Sequence, residues 1–327
     1  MTQNYKIAVV IPTLNEELYI ENCLNSVLSQ SFPFGEMDIM VVDGGSSDKT
    51  RDIVATFCQA HHNIRLIDNP KKIQSVAFNI GVKNSTAPYI VRLDAHSTYN
   101  EKYIELSIKH LVENEQLGNS GGVCNIQARS PKLVPEANAI LNKVRFGIGG
   151  AAFRVGAEAG FVDTVPFGAF PRKVIEKIGG MREDLARGED NEFNNRIRNA
   201  GYKIYLDPEV VCTYYSRDTF GGSVKQMYSN GLSIGKLLHL DRSSVSLRHL
   251  VPLAFVLSLI ATLLAGIFWA PALYLFAGIF ALYLFANLIA TVSACCKFGW
   301  RFFFILPCLF LSVHCAYGWG TIRGLLR

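Results

Sequence analysis

The sequence predicts an α/β fold with a doubly wound parallel sheet, followed by C-terminal helices that span a membrane. Three observations support this fold class. Short apolar runs alternate with helical stretches in the first hundred residues, polar clusters follow several of those runs, and residues 249–320 are almost uncharged. A chain of 327 residues can form one large domain or two domains of ordinary size.

Short apolar runs have the length and composition of buried parallel strands. Between them, apolar residues recur at helical spacing, which predicts amphipathic helices. Strands are predicted over residues 7–11, 39–42, 64–67, 89–93 and 121–128, and helices over residues 16–29, around Ile53 to Phe57, and over residues 73–83, 102–114, 172–178 and 193–199.

Polar clusters stand at the carboxyl ends of three predicted strands. Ligands of doubly wound sheets bind just beyond these strand ends, so the clusters predict a nucleotide-type site. The alternative is that Asp43 only begins a glycine turn and Asn15 only caps a helix. The clusters are Thr13 with Asn15 and Glu16, Asp43-Gly44-Gly45-Ser46, and Asp94-Ala95-His96.

Asp94 and His96 are two residues apart at the end of a predicted strand. Side chains at positions i and i+2 of a strand point the same way, so both could face one point beyond the strand end. A carboxylate oxygen and an imidazole nitrogen there could bind a divalent metal. The alternative is that Asp94 begins a turn and His96 lies on a loop surface.

Glu189 and Asp190 come just before the helical run at residues 193–199. Carboxylates at a helix start are stabilised by the helix dipole and the free N–H groups, which explains the pair without any catalytic role. The functional alternative is a general base, which takes the proton of an attacking hydroxyl and typically contributes about 10²–10⁴-fold in rate.

Composition excludes several classes of function. The net charge of +5 comes without a basic stripe and interleaved aromatic residues, so no nucleic-acid partner is expected. The cysteine spacing indicates neither a disulfide framework nor a zinc site. The run Gly147–Ala152 has the letters of a dinucleotide fingerprint but follows no apolar strand, which favours a glycine loop or turn. No secretory signal is recognised, so the first domain is expected to stay in the compartment where it is made.

These segments together resemble the inverting family 2 glycosyltransferases, which have the GT-A fold. Residues 10–16 are similar to the first-strand motif of that family, and residues 41–50 to its second. Asp94-Ala95-His96 stands in place of the D-x-D motif and Glu189-Asp190 in place of the E-D motif. Within the family, the chain looks most like the succinoglycan-type bacterial exopolysaccharide glucosyltransferases. The resemblance implies a mixed sheet with a Rossmann-like nucleotide-binding half.

The resemblance also implies roles for individual residues. Thr13, Glu16 and Asp43 would hold the uracil and ribose of a UDP-sugar. Asp94 and His96 would bind Mg²⁺ or Mn²⁺ at the diphosphate, where a cation also stabilises the leaving group. The catalytic pair would be Glu189 and Asp190, with Asp190 as the base. The further donor-binding residues implied by the resemblance are Pro12, Asn15, Lys72, Asn79, Asp94 and Arg217.

Two departures from the family pattern shape the expected reaction. His96 replaces the usual second Asp, which would weaken the metal site or tune it towards Mn²⁺. No Q-x-x-R-W motif of processive synthases is recognised, so transfer of a single hexose, with glucose as the first candidate, is favoured. The alternatives are a processive polysaccharide synthase and a non-catalytic membrane scaffold that binds a nucleotide-sugar.

The C-terminal region predicts membrane spans at residues 250–269, 271–294 and 302–320. The domains are expected at residues 1–222, 223–248 and 249–327, with an interfacial helix or a soluble helix face within residues 224–240. The positive-inside rule then places the catalytic domain in the cytoplasm. Three full spans would put Arg323 and Arg327 outside, so span three could be tilted or re-entrant. His314 in span three is either a functional polar residue or, as favoured here, a helix–helix contact.

The sequence therefore predicts a multi-pass protein of the bacterial inner membrane with a cytoplasmic catalytic domain. Its expected partners are a UDP-sugar donor, a polyprenyl-diphosphate-linked saccharide acceptor, the membrane and other glycan-assembly proteins.

Overall fold

A computed structural model describes residues 5–150, 152–155, 158–185, 187–240 and 242–326. The chain forms two compact units. The first unit contains Met1–Asn125 and Ala152–Tyr214, and the second contains Ile126–Ala151 and Tyr215–Arg327. The expected domain boundaries at residues 222 and 248 stay a prediction.

The described strands form one mixed sheet in the order β3-β2-β1-β4-β8-β6-β9-β5, with β7 paired to β9. Strands β1 to β4 are parallel to one another, as predicted, and β8 pairs with β4 in the opposite direction. The strands are β1 Ile7–Thr13, β2 Met37–Asp43, β3 Ile64–Asp68, β4 Tyr89–Arg92, β5 Ser97–Tyr99, β6 Leu117–Gln127, β7 Gly160–Val162, β8 Ala169–Pro171 and β9 Lys203–Tyr215.

Helices connect the strands and form most of the second unit. The first-unit helices are α1 Ile20–Leu28, α2 Thr50–Ala60, α3 Gln74–Lys83, α4 Tyr103–Glu113, α7 Ala152–Val155, α8 Arg172–Ile178 and α9 Glu189–Asn199. The second-unit helices are α5 Leu133–Lys143, α6 Arg145–Ile148, α10 Phe220–Leu240, α11 Val251–Phe268, α12 Pro271–Phe298 and α13 Ile305–Leu325.

The central strands of the first unit are completely enclosed. Every residue of β1 and β2 is buried, which is the environment that continuous apolar runs predict. The chain order reverses at β1, because β2 and β3 lie on one side of it and β4 on the other. Such a switch point opens a crevice at the carboxyl ends of the flanking strands, here Thr13 of β1 and Arg92 of β4.

Strands β6 and β9 and helix α1 differ from the predictions. The predicted strand at residues 121–128 extends over Leu117–Gln127, and β9, which was not predicted, is the longest strand described. Helix α1 begins at Ile20 instead of residue 16, because the preceding residues are bound to another loop. The predicted mixed sheet and the C-terminal apolar helices are confirmed.

Within the described residues, three helices are long and apolar enough to cross a membrane. They cover Leu247–Phe268, Pro271–Phe298 and Ile305–Leu325, and their mean hydropathies are 2.5, 2.1 and 1.4. The second unit also has a buried apolar cluster, to which Ile140 of α5, Met227 of α10 and Leu306 of α13 belong.

Candidate active site

The loops after β1, β2 and β3 are joined by backbone hydrogen bonds. Thr13 and Asp43 are paired in the β1–β2 register. The Gly44 amide donates to the Thr13 carbonyl oxygen at 2.8 Å, and the Asn69 amide donates to the Asp43 carbonyl oxygen at 2.7 Å. The polar clusters at these strand ends therefore lie side by side.

Asn15 and Glu16 attach the first loop to the second. Asn15 has a positive φ of 56° and accepts a hydrogen bond on Oδ1 from the Ser47 amide at 2.8 Å. The Glu16 amide donates to Thr50 Oγ1 at 2.7 Å. Because these groups already have partners outside the helix, the helical path starts only at Ile20. The Glu16 carboxylate takes no part in this attachment and lies 3.3 Å from His96 Nδ1.

Asp43 organises the glycine loop that follows β2. Its carboxylate accepts hydrogen bonds from the amides of Gly45 (2.9 Å) and Ser46 (3.0 Å) and from Arg51 Nη1 (2.7 Å). Burial by itself raises the pKa of Asp43, but the hydrogen bonds from Ser46, Arg51 and Gly45 outweigh burial and lower the pKa. Asp43 is therefore a buried carboxylate that fixes the loop beside the predicted nucleotide site.

Asp94 and His96 lie in the turn between β4 and β5, and not on a continuing strand. Strand β4 ends at Arg92, and the Ser97 amide donates to the Asp94 carbonyl oxygen at 3.2 Å. The turn still brings the two side chains together, with 2.8 Å between His96 Nδ1 and Asp94 Oδ1. The strand does not continue through the motif, so the alternative of a turn at Asp94 describes the backbone, although the two side chains still meet.

His96 lies between two carboxylates. Its Nδ1 is also 3.3 Å from Glu16 Oε1, which joins the β4 loop to the β1 loop. Burial alone would lower the pKa of His96, but the Asp94 and Glu16 carboxylates raise it well above its usual value. Burial alone would raise the pKa of Asp94, whereas the His96 imidazole lowers it. Each side chain therefore favours the charged form of the other.

The donor set of this cluster fits a divalent cation only in part. Carboxylate oxygens from Asp94 and Glu16 and a nitrogen from His96 suit Mg²⁺ or Mn²⁺ chemically. However, within the described residues no three His, Cys, Asp or Glu side chains are arranged as a complete ligand set. Further ligands, such as diphosphate oxygens, would therefore be needed to complete the coordination of a cation.

Arg92 joins the predicted catalytic pair to the strand that leads to Asp94. Its side chain is 3% exposed, its Nη1 contacts Asp190 Oδ1, and its Nη2 is 3.4 Å from Glu189 Oε1. Glu189 is buried, while 38% of the Asp190 side chain is exposed. Sequence reasoning did not single out Arg92. The signal was a charged residue inside an otherwise apolar strand, because a buried cation requires a partner.

The other predicted site residues have different surroundings. Pro12 lies near the end of β1 and pairs with Val42 of β2. It comes after Val10, the last residue of β1 that pairs with β4. The backbone of Lys72 lies beside Gly44, which brings Lys72 to the glycine loop. The Asn79 amide, in contrast, is bound to both backbone groups of Met181, at 2.7 and 2.8 Å.

Arg217 belongs to the second unit, where its carbonyl oxygen accepts a hydrogen bond from Asn138 at 2.7 Å. The donor-binding roles of Pro12, Lys72, Asn79 and Arg217 stay predictions, as do the donor-binding, metal-binding and catalytic roles of the other site residues.

Relatives of the chain are glycosyltransferases and polysaccharide-biosynthesis proteins. One, from Methanococcus voltae, is a dolichyl N-acetyl-alpha-D-glucosaminyl phosphate 3-beta-D-2,3-diacetamido-2,3-dideoxy-beta-D-glucuronosyltransferase; it is 28% identical, and the alignment covers 98% of this chain and 97% of the relative. Another, the succinoglycan biosynthesis protein ExoA of Rhizobium meliloti (strain 1021), is 28% identical over 80% of this chain and 78% of the relative. The predicted resemblance to the succinoglycan type is thereby confirmed.

Solved structures confirm the fold. The mannosyltransferase PcManGT from Pyrobaculum calidifontis, solved with GDP-Man and Mn²⁺, superposes with a TM-score of 0.62 at 20% identity, covering 97% of this chain and 88% of the other. S. aureus TarS 1-349 with UDP-GlcNAc gives a TM-score of 0.55 at 17% identity, covering 97% and 90%. The Glycosyl transferase family 2 profile matches residues 8–179, more than half of the chain, and the protein therefore belongs to glycosyl transferase family 2, whose members transfer a sugar from a nucleotide-sugar.

Proposed function

We propose that the protein is a metal-dependent, inverting transferase that moves one hexose from a UDP-sugar to a hydroxyl of a polyprenyl-diphosphate-linked saccharide. The observation that carries this proposal is the meeting of Glu16, Asp94 and His96 at the switch point of the sheet, together with the contact from Arg92 to Asp190. These contacts hold two acidic centres at neighbouring strand and helix ends.

The chemistry of these two centres suits one displacement step. A divalent cation at Asp94 and His96 would neutralise the diphosphate and stabilise the charge that develops on the departing UDP. Asp190 would remove the proton from the attacking acceptor hydroxyl. Its exposure supports this role, because a base has to reach a substrate, whereas the buried Glu189 would position Arg92.

The lipid-linked acceptor is supported by the chain's relatives and by its apolar helices. The name of the Methanococcus voltae relative includes a dolichyl-linked sugar phosphate, and the alignment covers nearly both chains. The three apolar helices would keep the enzyme at a membrane, where such acceptors reside. We place the protein in a bacterial inner membrane with the first unit in the cytoplasm, where nucleotide-sugars are made.

The test is donor turnover by purified full-length protein in detergent. Nucleoside-diphosphate release is measured for a panel of UDP- and GDP-sugars, with Mn²⁺, with Mg²⁺ and with EDTA. We expect one UDP-hexose to turn over, EDTA and Asp94→Ala to abolish the activity, and Asp190→Asn to lower it by about 10²–10⁴-fold. Asp52→Asn, the same chemical change at an exposed position of α2, is the control and should leave the rate unchanged.

Other outcomes would contradict separate parts of the proposal. Preference for a GDP-sugar would overturn the donor assignment, and full activity in EDTA would overturn metal dependence. Wild-type activity of Asp190→Asn would overturn the base assignment. Long polymeric products from a short lipid-linked acceptor would identify a processive synthase instead of a single-sugar transferase.

A further inference from the structure

Helices α10 and α13 pack closely against each other through glycines. A Cβ atom on Gly231 would lie 2.0 Å from the Tyr317 carbonyl oxygen, and one on Gly324 would lie 2.2 Å from the Leu232 carbonyl oxygen. Both neighbours are backbone atoms, which cannot rotate away. Small residues four positions apart, such as Gly320 and Gly324, allow helix backbones to approach this closely in membrane proteins.

The two helices run in the same direction. Gly320 lies against the Tyr228 carbonyl oxygen, and near the other end His239 Nε2 is 2.6 Å from the Leu325 carbonyl oxygen. Contact positions thus increase together along both helices. The C-terminal ends of α10 and α13 consequently lie next to each other.

Helices α11 and α12 form an antiparallel hairpin. Gly266 contacts Leu273 near the turn, and the rings of Phe255 and Tyr283 stack at 4.3 Å further along. The start of α11 and the end of α12 therefore lie at the same end of the hairpin, which we call the hairpin base. Helix α12 has 28 residues and is about 42 Å long, which exceeds a hydrocarbon layer of about 30 Å.

Both halves of α13 contact the hairpin base. Near its beginning, the Pro307 carbonyl oxygen accepts a hydrogen bond from Asn287 of α12 at 3.0 Å, and Leu306 belongs to the same buried apolar cluster as Cys295, close to the end of α12. Near its end, Gly318 lies against the Pro252 carbonyl oxygen, in the first turn of α11. The two contacts are about 18 Å apart along α13 at about 1.5 Å per residue, and a helix that crossed the bilayer along its normal would place them at different depths. This geometry favours an α13 that runs across the hairpin base.

Exposure also distinguishes α13 from the hairpin helices. The apolar windows of α11 and α12 are each 11% buried within the protein, whereas that of α13 is 39% buried and less hydrophobic. Trp319 is among the exposed side chains of α13, and Trp300 and Phe304 are exposed just before it. Aromatic side chains of this kind favour the boundary between acyl chains and headgroups.

The charged residues of the C-terminal region also distinguish the hairpin turn from α10, α13 and the hairpin base. Residues 220–327 contain eight Lys or Arg residues and one acidic residue, Asp241. The hairpin turn at residues 269–271 has no charge, whereas the basic residues that the structure describes fall on α10, on α13, in the last turn of α12 or in the segments next to the hairpin base. A cluster of cations on one side of a bilayer follows the positive-inside rule and is attracted by anionic lipids. The basic residues are Lys225, Lys236, Arg242, Arg248, Lys297, Arg301, Arg323 and Arg327.

We propose that only α11 and α12 cross the membrane, and that α10 and α13 form an interfacial helix pair lying on the headgroup layer at the hairpin base. The partner of this helix pair is the anionic surface of the bilayer itself. The C-terminus then lies on the same side as the start of α10. This topology also removes the conflict with the positive-inside rule that three full spans create at Arg323 and Arg327.

The test compares the sidedness of two positions in the full-length protein. Ala270→Cys in the hairpin turn and Leu326→Cys at the end of α13 are introduced into a variant with Cys296→Ser and Cys308→Ser, which removes the exposed thiols. A membrane-impermeant maleimide is applied before and after permeabilisation, and the parent variant gives the background. We expect the two positions to label from opposite sides, and labelling from the same side would overturn the proposal.

A second measurement does not depend on removing cysteines. A C-terminal epitope tag on the wild-type chain is tested by protease in intact spheroplasts and in inverted vesicles, beside a tag at the N-terminus. Both tags should be cleaved in the same preparation. Cleavage in opposite preparations would show that α13 crosses the membrane and would contradict the proposal.

The packing of α10 against α13 can be tested by a glycine-to-alanine substitution, which adds one methyl group at the contact. A disulfide between His239→Cys and Leu325→Cys reports the contact at its end. Adding Gly231→Ala should greatly reduce this cross-link, because the new Cβ meets the Tyr317 backbone. Gly221→Ala is the matched control in the same helix, since no atom lies within 4 Å of its Cβ, and should retain the cross-link. Equal cross-linking in both variants would contradict the glycine-packed pair.

Discussion

The two units treat apolar side chains in opposite ways. In the first unit, β1 and β2 have no exposed residue, and side chains of both strands, such as Val10 and Met40, belong to one core with Phe78 of α3. In the second unit, α11 and α12 place most of their apolar side chains outside, including Leu282 at 69% and Phe285 at 63% exposure. A large exposed apolar surface marks contact with a partner or with lipid.

The two units also differ in what they do with charge. The first unit buries Arg92, Glu189 and Asp43, and each has a partner of opposite charge. In the second unit, residues 220–327 contain eight Lys or Arg residues and one acidic residue, and the hairpin turn at residues 269–271 has no charge. Both arrangements follow from the same physical effect, which is the removal of apolar side chains from water. Water forces the first unit to enclose its core, whereas lipid lets the hairpin expose apolar residues and moves charge to the interface.

The largest effect on the stability of the first unit is expected from Arg92→Met. Glu189 would keep a buried carboxylate without its cation, and breaking such a pair typically costs about 3–5 kcal/mol. Asp190 should contribute little to this loss, because it is partly exposed and solvent screens its charge. Thermal unfolding of the full-length protein in detergent measures the change.

The double variant Arg92→Met with Glu189→Gln separates this explanation from lost packing. Removal of the second charge should recover much of the stability, since no unpaired buried ion remains. An equally unstable double variant would show that Arg92 acts through its packing alone. Arg92→Lys keeps the charge and should be milder than Arg92→Met.

A smaller effect is expected when a lysine replaces an exposed apolar side chain, and its size should depend on whether that side chain contacts lipid or water. Phe285→Lys places a charge near the middle of α12, on a side chain that is 63% exposed, and should cost about 2.5–3.5 kcal/mol in membrane insertion. Val112→Lys on α4 makes a similar change on a side chain that is 58% exposed in the first unit. It should alter stability by about 0.5 kcal/mol or less.

Membrane integration after alkaline extraction and thermal unfolding are measured for both variants. Loss of integration in Phe285→Lys alone would confirm that exposure means lipid contact in one unit and water contact in the other. Normal integration of Phe285→Lys would contradict the assignment of α12 as a membrane span.

Much of the parallel half of the sheet could be predicted from the sequence, because buried strands are continuous apolar runs. Strand β9 was missed because Asp207-Pro208-Glu209 interrupts its pattern, and proline normally excludes a residue from a central strand. In the structure the Asp207 side chain accepts a hydrogen bond from the Glu209 amide at 2.8 Å, which supports the backbone at that irregular point.

The site was partly predictable for a different reason. Strand ends of a doubly wound sheet meet by topology, so Thr13, Asp43 and Asp94 could be grouped without coordinates. The contacts of Arg92 and His96 depend on tertiary packing, since Glu16 and His96 are 80 residues apart in the chain. The glycines that join α10 to α13 are visible in the sequence. Their spacing alone does not show which helix packs against them, so the contact could not be predicted.

The smallest effect is expected from Asp43, whose side chain is completely buried in the first unit. The lowered pKa of Asp43 means that its carboxylate stabilises the folded state at pH values above the unfolded pKa of about 3.9. This contribution is lost as the pH falls from there through the folded pKa, because the protonated carboxyl is a weaker acceptor for the hydrogen bonds from Ser46 and gives up its ion pair with Arg51. Asp43→Asn should therefore be less stable than the wild type at neutral pH, and the difference should shrink as the pH falls below about 4. Unfolding midpoints of both proteins across that range measure it, with Asp52→Asn as the exposed control, and a stability difference that does not change with pH would contradict the assigned role of the charge.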